Sequence, residues 1–241
     1  MPCNRIVILA GGKGTRLRPF TATFPKPLVP VGDKPILEVL LRQLSAQGFN
    51  DVTLTLGHLA EFFRAFIGQH KTLAEKINFS FVEEEAPTGT AGSLASVPNL
   101  DSTFMVMNGD LLTDLNFRDL CDAHQASGAA LTIAAHSKKT KIDLGILEAD
   151  DNGVLTNYIE KPEHTHTVSM GVYVYEPRVL NYIEKDQYLD FPDLVLKLLD
   201  AGEKVRIHKS DAFWLDIGRP DDYALAQDIF EQDPMRFSCG A

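Results

Sequence analysis

Apolar positions follow two rhythms along this chain. In the first half, short β-branched runs alternate with stretches at helical spacing. Residues 5–10 (RIVILA) form one apolar run closed by Gly11 and Gly12, the pattern of a strand buried on both faces. Residues 35–47 (PILEVLLRQLSAQ) carry apolar side chains at helical spacing, with proline at the start and Gly48 after the end, which predicts a helix. Residues 51–56 predict a strand and 59–67 a helix ending at Gly68. Residues 77–82 predict a strand that runs into Glu83-Glu84-Glu85. Residues 103–107 predict a strand closed by Asn108-Gly109-Asp110, and 117–127 a helix for which Asp114 is the expected cap. This alternation predicts an α/β fold with a Rossmann-like, doubly wound, mostly parallel sheet.

After Gly128 the texture changes. Residues 129–136, 144–149, 154–160 and 167–175 are strand-like with few helices between them, and Asp150-Asp151-Asn152-Gly153 predicts a hairpin turn. This half is expected to be mixed or antiparallel, a lobe against the first sheet. Residues 177–182, 191–200 and 220–230 predict helices. No repeat, linker or low-complexity segment interrupts the chain, so a single domain over 1–241 is expected.

Composition narrows the chemistry. The chain has 241 residues, 44% hydrophobic, and a net charge of −10. Nucleic acids and anionic membranes need a basic footprint, so neither is an expected partner. A small anion in a locally basic pocket remains compatible. Cys3, Cys121 and Cys239 are odd in number and lack metal spacing, which points to a reduced, cytoplasmic setting. Cys121 falls on the apolar side of its helix and reads as core. His164-Thr165-His166 has no third ligand at useful spacing and reads as an exposed loop. No signal peptide or membrane span is expected.

The basic pocket has a candidate. LAGGKGTRLRPFTATFPKPLVP, residues 9–30, follows the first strand. It is not a Walker A loop, because Lys13 is followed by Gly14 rather than by a Ser or Thr for magnesium. It is not a dinucleotide fingerprint, because Leu17 stands where the third glycine belongs. What remains is a cradle of Gly11, Gly12 and Gly14 whose backbone N–H groups are free to approach an anion, followed by Arg16, Arg18 and Lys26. Pro25 and Pro27 bracket Lys26 and are expected to hold it in extended chain.

These residues, extended to LAGGKGTRLRPFTATFPKPLVPVGDKPILE, resemble the signature of the sugar-1-phosphate nucleotidylyltransferases. GTAGS from Gly89, NGDLLTD from Asn108, DLGILE from Asp143, IEKP from Ile159, SMGVYVY from Ser169 and FWLDIGRPDDY from Phe213 match in the same order. The resemblance spans nearly the whole chain and reads as a catalytic core alone, with a nucleotide-binding part over about 1–128 and a sugar-binding part over about 129–220. It implies the reaction NTP + sugar 1-phosphate → NDP-sugar + pyrophosphate, with Mg²⁺. It implies Arg16 and Lys26 as catalytic cations, and Leu9, Ala10, Gly11, Gly12, Gly14, Thr15, Asn108 and Gly109 around the nucleotide. Asp110 and Asp216 are the implied metal ligands, and Gly145, Glu160, Lys161 and Gly171 the sugar-phosphate site. Relatives form dimers or tetramers, which leaves a homodimer or homotetramer open.

Base choice is read from VEEEAPTGTAGS. Guanine offers two donors on one edge that a carboxylate accepts, whereas uracil and thymine flank one donor with two carbonyl oxygens. The spacing also resembles the mannose-1-phosphate guanylyltransferase-like branch. GTP is therefore the expected nucleotide, with Glu84 or Glu85 as reader beside Gly89. Mannose 1-phosphate or a heptose 1-phosphate is the expected sugar. Two alternatives stay open: a UTP or dTTP enzyme for glucose 1-phosphate or N-acetylmuramic acid 1-phosphate, and a non-catalytic regulatory subunit. A glycosyltransferase would carry Asp–x–Asp and lack the basic loop, the reverse of this chain.

Overall fold

The computed structural model describes residues 3–237; Cys239 lies outside them. Fourteen elements matter here, labelled in chain order: β1 (Arg5–Leu9), α1 (Ile36–Ala46), β2 (Asp51–Leu56), α2 (Ala60–Gln69), β3 (Asn78–Glu83), β4 (Phe104–Asn108), α3 (Phe117–Ser127), β5 (Leu131–Lys141), β6 (Ile146–Ala149), β7 (Leu155–Ile159), β8 (Glu163–Tyr175), α4 (Phe191–Asp200), β9 (Val205–Lys209) and α5 (Pro220–Gln232). A seven-stranded sheet runs in the order β9-β5-β8-β4-β1-β2-β3. β1 pairs in parallel with β2 and β4, β2 with β3, and β5 with β9. β8 is antiparallel to both β4 and β5.

The alternation of a strand explains the two-sided core. Ile6 and Ile8 of β1 and Met105 and Met107 of β4 join one apolar cluster with Leu37, Leu41, Phe63 and Phe117 of the helices. Val7, Phe104 and Val106 face the other way, into a cluster with Leu194 and Leu198 of α4. Strands sandwiched in this way read as continuous apolar runs.

Local signals account for the helix ends. α1 stops at Gly48, whose φ of 81° opens the left-handed turn, and Phe49 N–H returns to the Leu44 carbonyl. α3 starts at Asn116, whose side chain accepts from Arg118 N–H and Asp119 N–H. Asn116, not Asp114, is therefore the cap. Asp114 instead accepts from Phe213 N–H and Arg236 Nε. Its carboxylate bridges two distant segments rather than closing a local turn.

The second half divides in two. β5 and β8 pair along their length within the main sheet, with only the later part of β8 reaching β4, while β6 and β7 form a separate antiparallel hairpin. The expected turn closes it, with Gly153 at φ 80° and Asp150 accepting from Asn152 N–H and Val154 N–H. The first half of β8 also holds His164 and His166, exposed and with rings 6.2 Å apart. They stand on a strand, not a loop. Among the described residues no group of three metal-ligating side chains forms. Residues 177–182 wind as a 3₁₀ helix. No helix among the described residues is long and apolar enough to cross a membrane.

Two buried polar groups of residues stand out. Cys3 and Cys121 meet in the core, and their hydrogen bond holds the Cys121 thiol far above its usual range. His124 is fully buried between Thr132 Oγ1 (2.7 Å) and Glu176 Oε1 (3.1 Å). Burial depresses its pKa below 6.5 despite Glu176, which pulls the other way. Its stabilising contribution is thus present above the unfolded value. It is lost as pH falls through and below about 6.5, where the unfolded chain takes the proton first. Thermal melts should show stability dropping between neutral pH and pH about 5 more steeply in the wild type than in His124→Gln. Parallel curves would refute this role.

Candidate active site

β1 and β4 end side by side, and the functional candidates collect at their carboxyl ends, where open α/β sheets bind ligands. Gly109 N–H donates to the Leu9 carbonyl (3.1 Å) and Ala10 N–H to the Thr55 carbonyl (3.0 Å), which pins the start of the loop. The loop then leaves through Gly11, Gly12 and Gly14. Gly14 has φ 58°, and a methyl group there would stand 3.0 Å from Lys26 Cβ. Glycine lets the two halves of the loop close on each other. Thr15 and Arg16 lie in a 3₁₀ turn whose third residue, Leu17, is fully buried as an anchor.

Lys26 departs from expectation. Residues Lys26–Leu28 form a 3₁₀ turn, and extended geometry is kept only by the flanking Pro25 and Val29. The turn drives the lysine stem inward until its side chain is 9% exposed. Nζ donates to Asp110 Oδ2 in a short hydrogen bond and lies 3.8 Å from Asp216 Oδ1.

Asp110 follows β4 after a single residue, Gly109. Asp216 arrives on a short strand, Trp214–Asp216, paired with Leu111–Thr113. That pairing sets Asp216 opposite Leu111, beside Asp110. Burial raises the Asp216 pKa, and the Asp110 charge adds to the rise, while Lys26 and Arg16 oppose it. Arg16 Nη2 is 3.7 Å from where a methyl on Gly218 would sit. Asp222 fixes that corner by accepting from Gly218 N–H and Arg219 N–H. Four predicted residues, Arg16, Lys26, Asp110 and Asp216, therefore meet around one point.

The acidic triplet sorts itself. Glu83 pairs with Arg64 at 2.9 Å. Glu84 accepts from Thr88 N–H (3.2 Å) and from its hydroxyl, and its other oxygen is 3.0 Å from where a methyl on Gly11 would sit. Glu85 is exposed and has no bonded partner among the described residues. Gly89, at φ 84°, leaves only 2.5 Å between an added methyl and the Leu189 carbonyl oxygen. Residues 187–191 clamp this loop. Leu189 carbonyl accepts from Ala91 N–H and Gly92 N–H, and Asp190 accepts from Thr90 N–H.

The sugar candidates separate. Gly171 has φ 72°, and a methyl there would lie 2.7 Å from Asn108 Nδ2, so it borders the nucleotide candidates. Trp214 Nε1 donates to the Met170 carbonyl (2.8 Å) and ties this bend to the Asp216 strand. Gly145, Glu160 and Lys161 sit on or beside the exposed β6–β7 hairpin. A side chain at Gly145 would collide with Tyr158, whose hydroxyl donates to Glu160 (2.8 Å). Lys161 and Glu160 are 3.9 Å apart and more than half exposed. No hydrogen bond or ion pair joins these three to the Lys26 cluster among the described residues. Thr88, Asp190, Trp214 and Asp222 were not expected from the sequence. Each acts through a contact between segments remote in the chain or through a turn, which no periodicity encodes.

Known proteins share this arrangement of chain. The sequence model described as nucleotidyl transferase matches residues 5–233. A UTP–glucose-1-phosphate uridylyltransferase of Synechocystis is 35% identical over 237 residues, covering 91% of this chain and 61% of its own. A mannose-1-phosphate guanylyltransferase of Mycobacterium tuberculosis is 32% identical over 226 residues, covering 90% of this chain and 62% of its own. The chain thus spans about three fifths of the length of these curated relatives. Among solved structures, HddC from Yersinia pseudotuberculosis complexed with GMP-PN superposes with a TM-score of 0.72 at 25% identity, over 94% of this chain and 99% of that one. With a match that runs from the first strand through the last long helix, and relatives more than 30% identical along nine tenths of its length, the chain belongs to the nucleotidyl transferase family.

Proposed function

We propose that the chain transfers a nucleotidyl group from GTP to a sugar 1-phosphate, mannose 1-phosphate or a heptose 1-phosphate, and releases pyrophosphate. The observation that carries this reading is the convergence of two cations and two carboxylates behind a glycine cradle. A phosphate oxygen of the sugar attacks the α-phosphorus, the bond to the bridging oxygen of pyrophosphate breaks, and negative charge moves to the leaving group. Positioning and fixed positive charge are what such a transfer needs from a protein. In this reading Arg16 holds the leaving pyrophosphate with its planar fork, and Lys26 reaches the α-phosphate and the incoming phosphate as a point charge. Leu9 to Gly12 and Gly14 with Thr15 wrap the triphosphate and ribose. Asn108 and Gly109 join them around the nucleotide, Gly171 borders Asn108 from the sugar side, and Gly145, Glu160 and Lys161 approach from the hairpin.

Mg²⁺ suits the carboxylates. Asp110 Oδ1 is buried without a hydrogen-bond partner, and Asp216 stands beside it. Oxygen donors of this kind favour a hard cation that also binds phosphate. Asp110 and Asp216 would hold it, and it would neutralise charge on the phosphates.

Of the two candidate base readers, Glu84 fits better. Thr88 fixes its carboxylate, and one oxygen faces the cradle at Gly11. Glu84→Gln replaces one acceptor edge by a donor. It should lower kcat/KM with GTP by about 10- to 100-fold while leaving UTP turnover nearly unchanged. An equal loss with both nucleotides would assign Glu84 to loop structure instead. A second reading, a uridylyltransferase for glucose 1-phosphate, is favoured by the similarity to the Synechocystis uridylyltransferase. A grid of GTP, UTP and dTTP against the sugar 1-phosphates, followed by pyrophosphate release, decides between them. No release in any cell of the grid would overturn the enzymatic reading.

A further inference from the structure

A cavity of about 700 Å³ lies away from the cation cluster, along α1 and the end of α5. Lys34, Arg42 and Lys76 line it, and among the described residues no carboxylate does. That is unusual in a chain with net charge −10. Lys34 pairs with Asp33 and Arg42 with Glu38, but Lys76 is exposed and has no ion-pair partner among the described residues. The floor is apolar, built from Val39, Phe230 and Phe237. The two phenylalanine rings stack at 5.8 Å with planes 9° apart. One wall thus favours negative charge and the other favours carbon, and both belong to one cavity large enough for a small metabolite.

The floor is shared. Val39, Phe230 and Phe237 belong to the same apolar cluster as Leu17, next to Arg16, and Ile217, next to Asp216. Gly32 closes the packing, since a methyl group there would lie 2.5 Å from Phe230. Close-packed interiors pass displacement on rather than absorb it.

We propose that this cavity is a second binding site, for a phosphorylated small molecule with an apolar or aromatic body. Its occupancy is read at the catalytic loop through the shared cluster. The phosphate meets Lys76 and Arg42, and the apolar body lies on the phenylalanine floor. The coupling rests on the function proposed above; the binding does not.

1-Naphthyl phosphate is a suitable probe, titrated by calorimetry with the nucleotide site filled by a non-hydrolysable NTP analogue. One equivalent should bind. Lys76→Glu, a change at an exposed position, should weaken binding by about tenfold or more with an unchanged melting temperature. Lys26→Ala should leave it unchanged. Inorganic phosphate alone and 1-naphthol alone should each bind more weakly than the conjugate. No binding at millimolar probe, or equal binding by Lys76→Glu, would overturn the site. Inorganic phosphate binding as tightly as the conjugate would overturn the apolar half of the assignment. Where turnover is measurable, the probe should shift the NTP KM of the wild type and not of Lys76→Glu; an unshifted KM would overturn the coupling alone. A chain that binds the probe and shows no turnover would fail the proposed function while keeping this site.

Discussion

Lys26→Ala should lower kcat for pyrophosphate release by about a thousandfold, the scale seen when a fixed charge-stabilising group is removed from an active site. The lysine is the most enclosed member of the cluster, 9% exposed against 21% for Asp110 and 42% for Asp216. Removing it leaves two neighbouring carboxylates without the one ammonium that reaches both of them among the described residues. Asp110 and Asp216 remain partly open to solvent, so the cost in stability is screened. The melting temperature should therefore move far less than the turnover does. The remaining carboxylates should bind divalent cations no more weakly than before. Single-turnover measurements at saturating nucleotide separate the chemical step from binding. Unchanged turnover in the alanine variant would remove Lys26 from the mechanism.

Asp110→Asn makes the opposite test. It keeps the shape of the side chain and an acceptor for Lys26 Nζ, yet it removes one formal charge from the carboxylate pair, at the group whose own Oδ1 is buried without a partner. If Asp110 and Asp216 share a hard cation, affinity for that cation falls, because amide oxygen is a poorer ligand than carboxylate. Turnover at fixed Mg²⁺ should drop by at least about a hundredfold, with partial recovery as Mg²⁺ is raised. Titration with Mn²⁺ followed by its paramagnetic resonance reads cation affinity without needing catalysis. Identical metal curves for wild type and Asp110→Asn would discard the assignment of Asp110 as a ligand. They would leave the carboxylate as the partner that positions Lys26.

Much of this was legible in the chain. The helices Phe117–Ser127 and Phe191–Asp200 have the bounds the sequence predicts. Asn116 and Gly128 punctuate the first, and Pro192 opens the second. The strands that carry Leu9 and Asn108 are continuous apolar runs, so their carboxyl ends were marked in advance. The strand Trp214–Asp216 is a different case. Three residues carry no period, and its partner Leu111–Thr113 lies a hundred residues away. The matching motif named Asp216, but only the pairing explains why it faces Asp110. Lys26 shows the reverse error. Prolines on both sides argued for extended chain, yet Pro27 is also well suited to the first turn of a helix, and tertiary packing chose the turn. Glu84 and Glu85 were indistinguishable as a pair of adjacent acids. The hydroxyl of Thr88 bonds Glu84 and not Glu85, which is what favours Glu84 in the proposed reading, and that contact exists only after the loop closes.

The cation cluster is drawn from positions 16, 26, 110 and 216, and the Lys26–Asp110 contact alone spans 84 residues. Contacts of that separation are closed late, after the entropy of long loops has been offset by packing elsewhere. The site is also held by the sheet in its middle and by α5 at its far end. A partly folded chain, with only its first three strands in register, would lack Asp110 and Asp216 altogether. During refolding, recovery of pyrophosphate release should therefore trail recovery of helical signal. Turnover would time the arrival of the last long-range contacts, a clock for the slowest stage of folding in this chain.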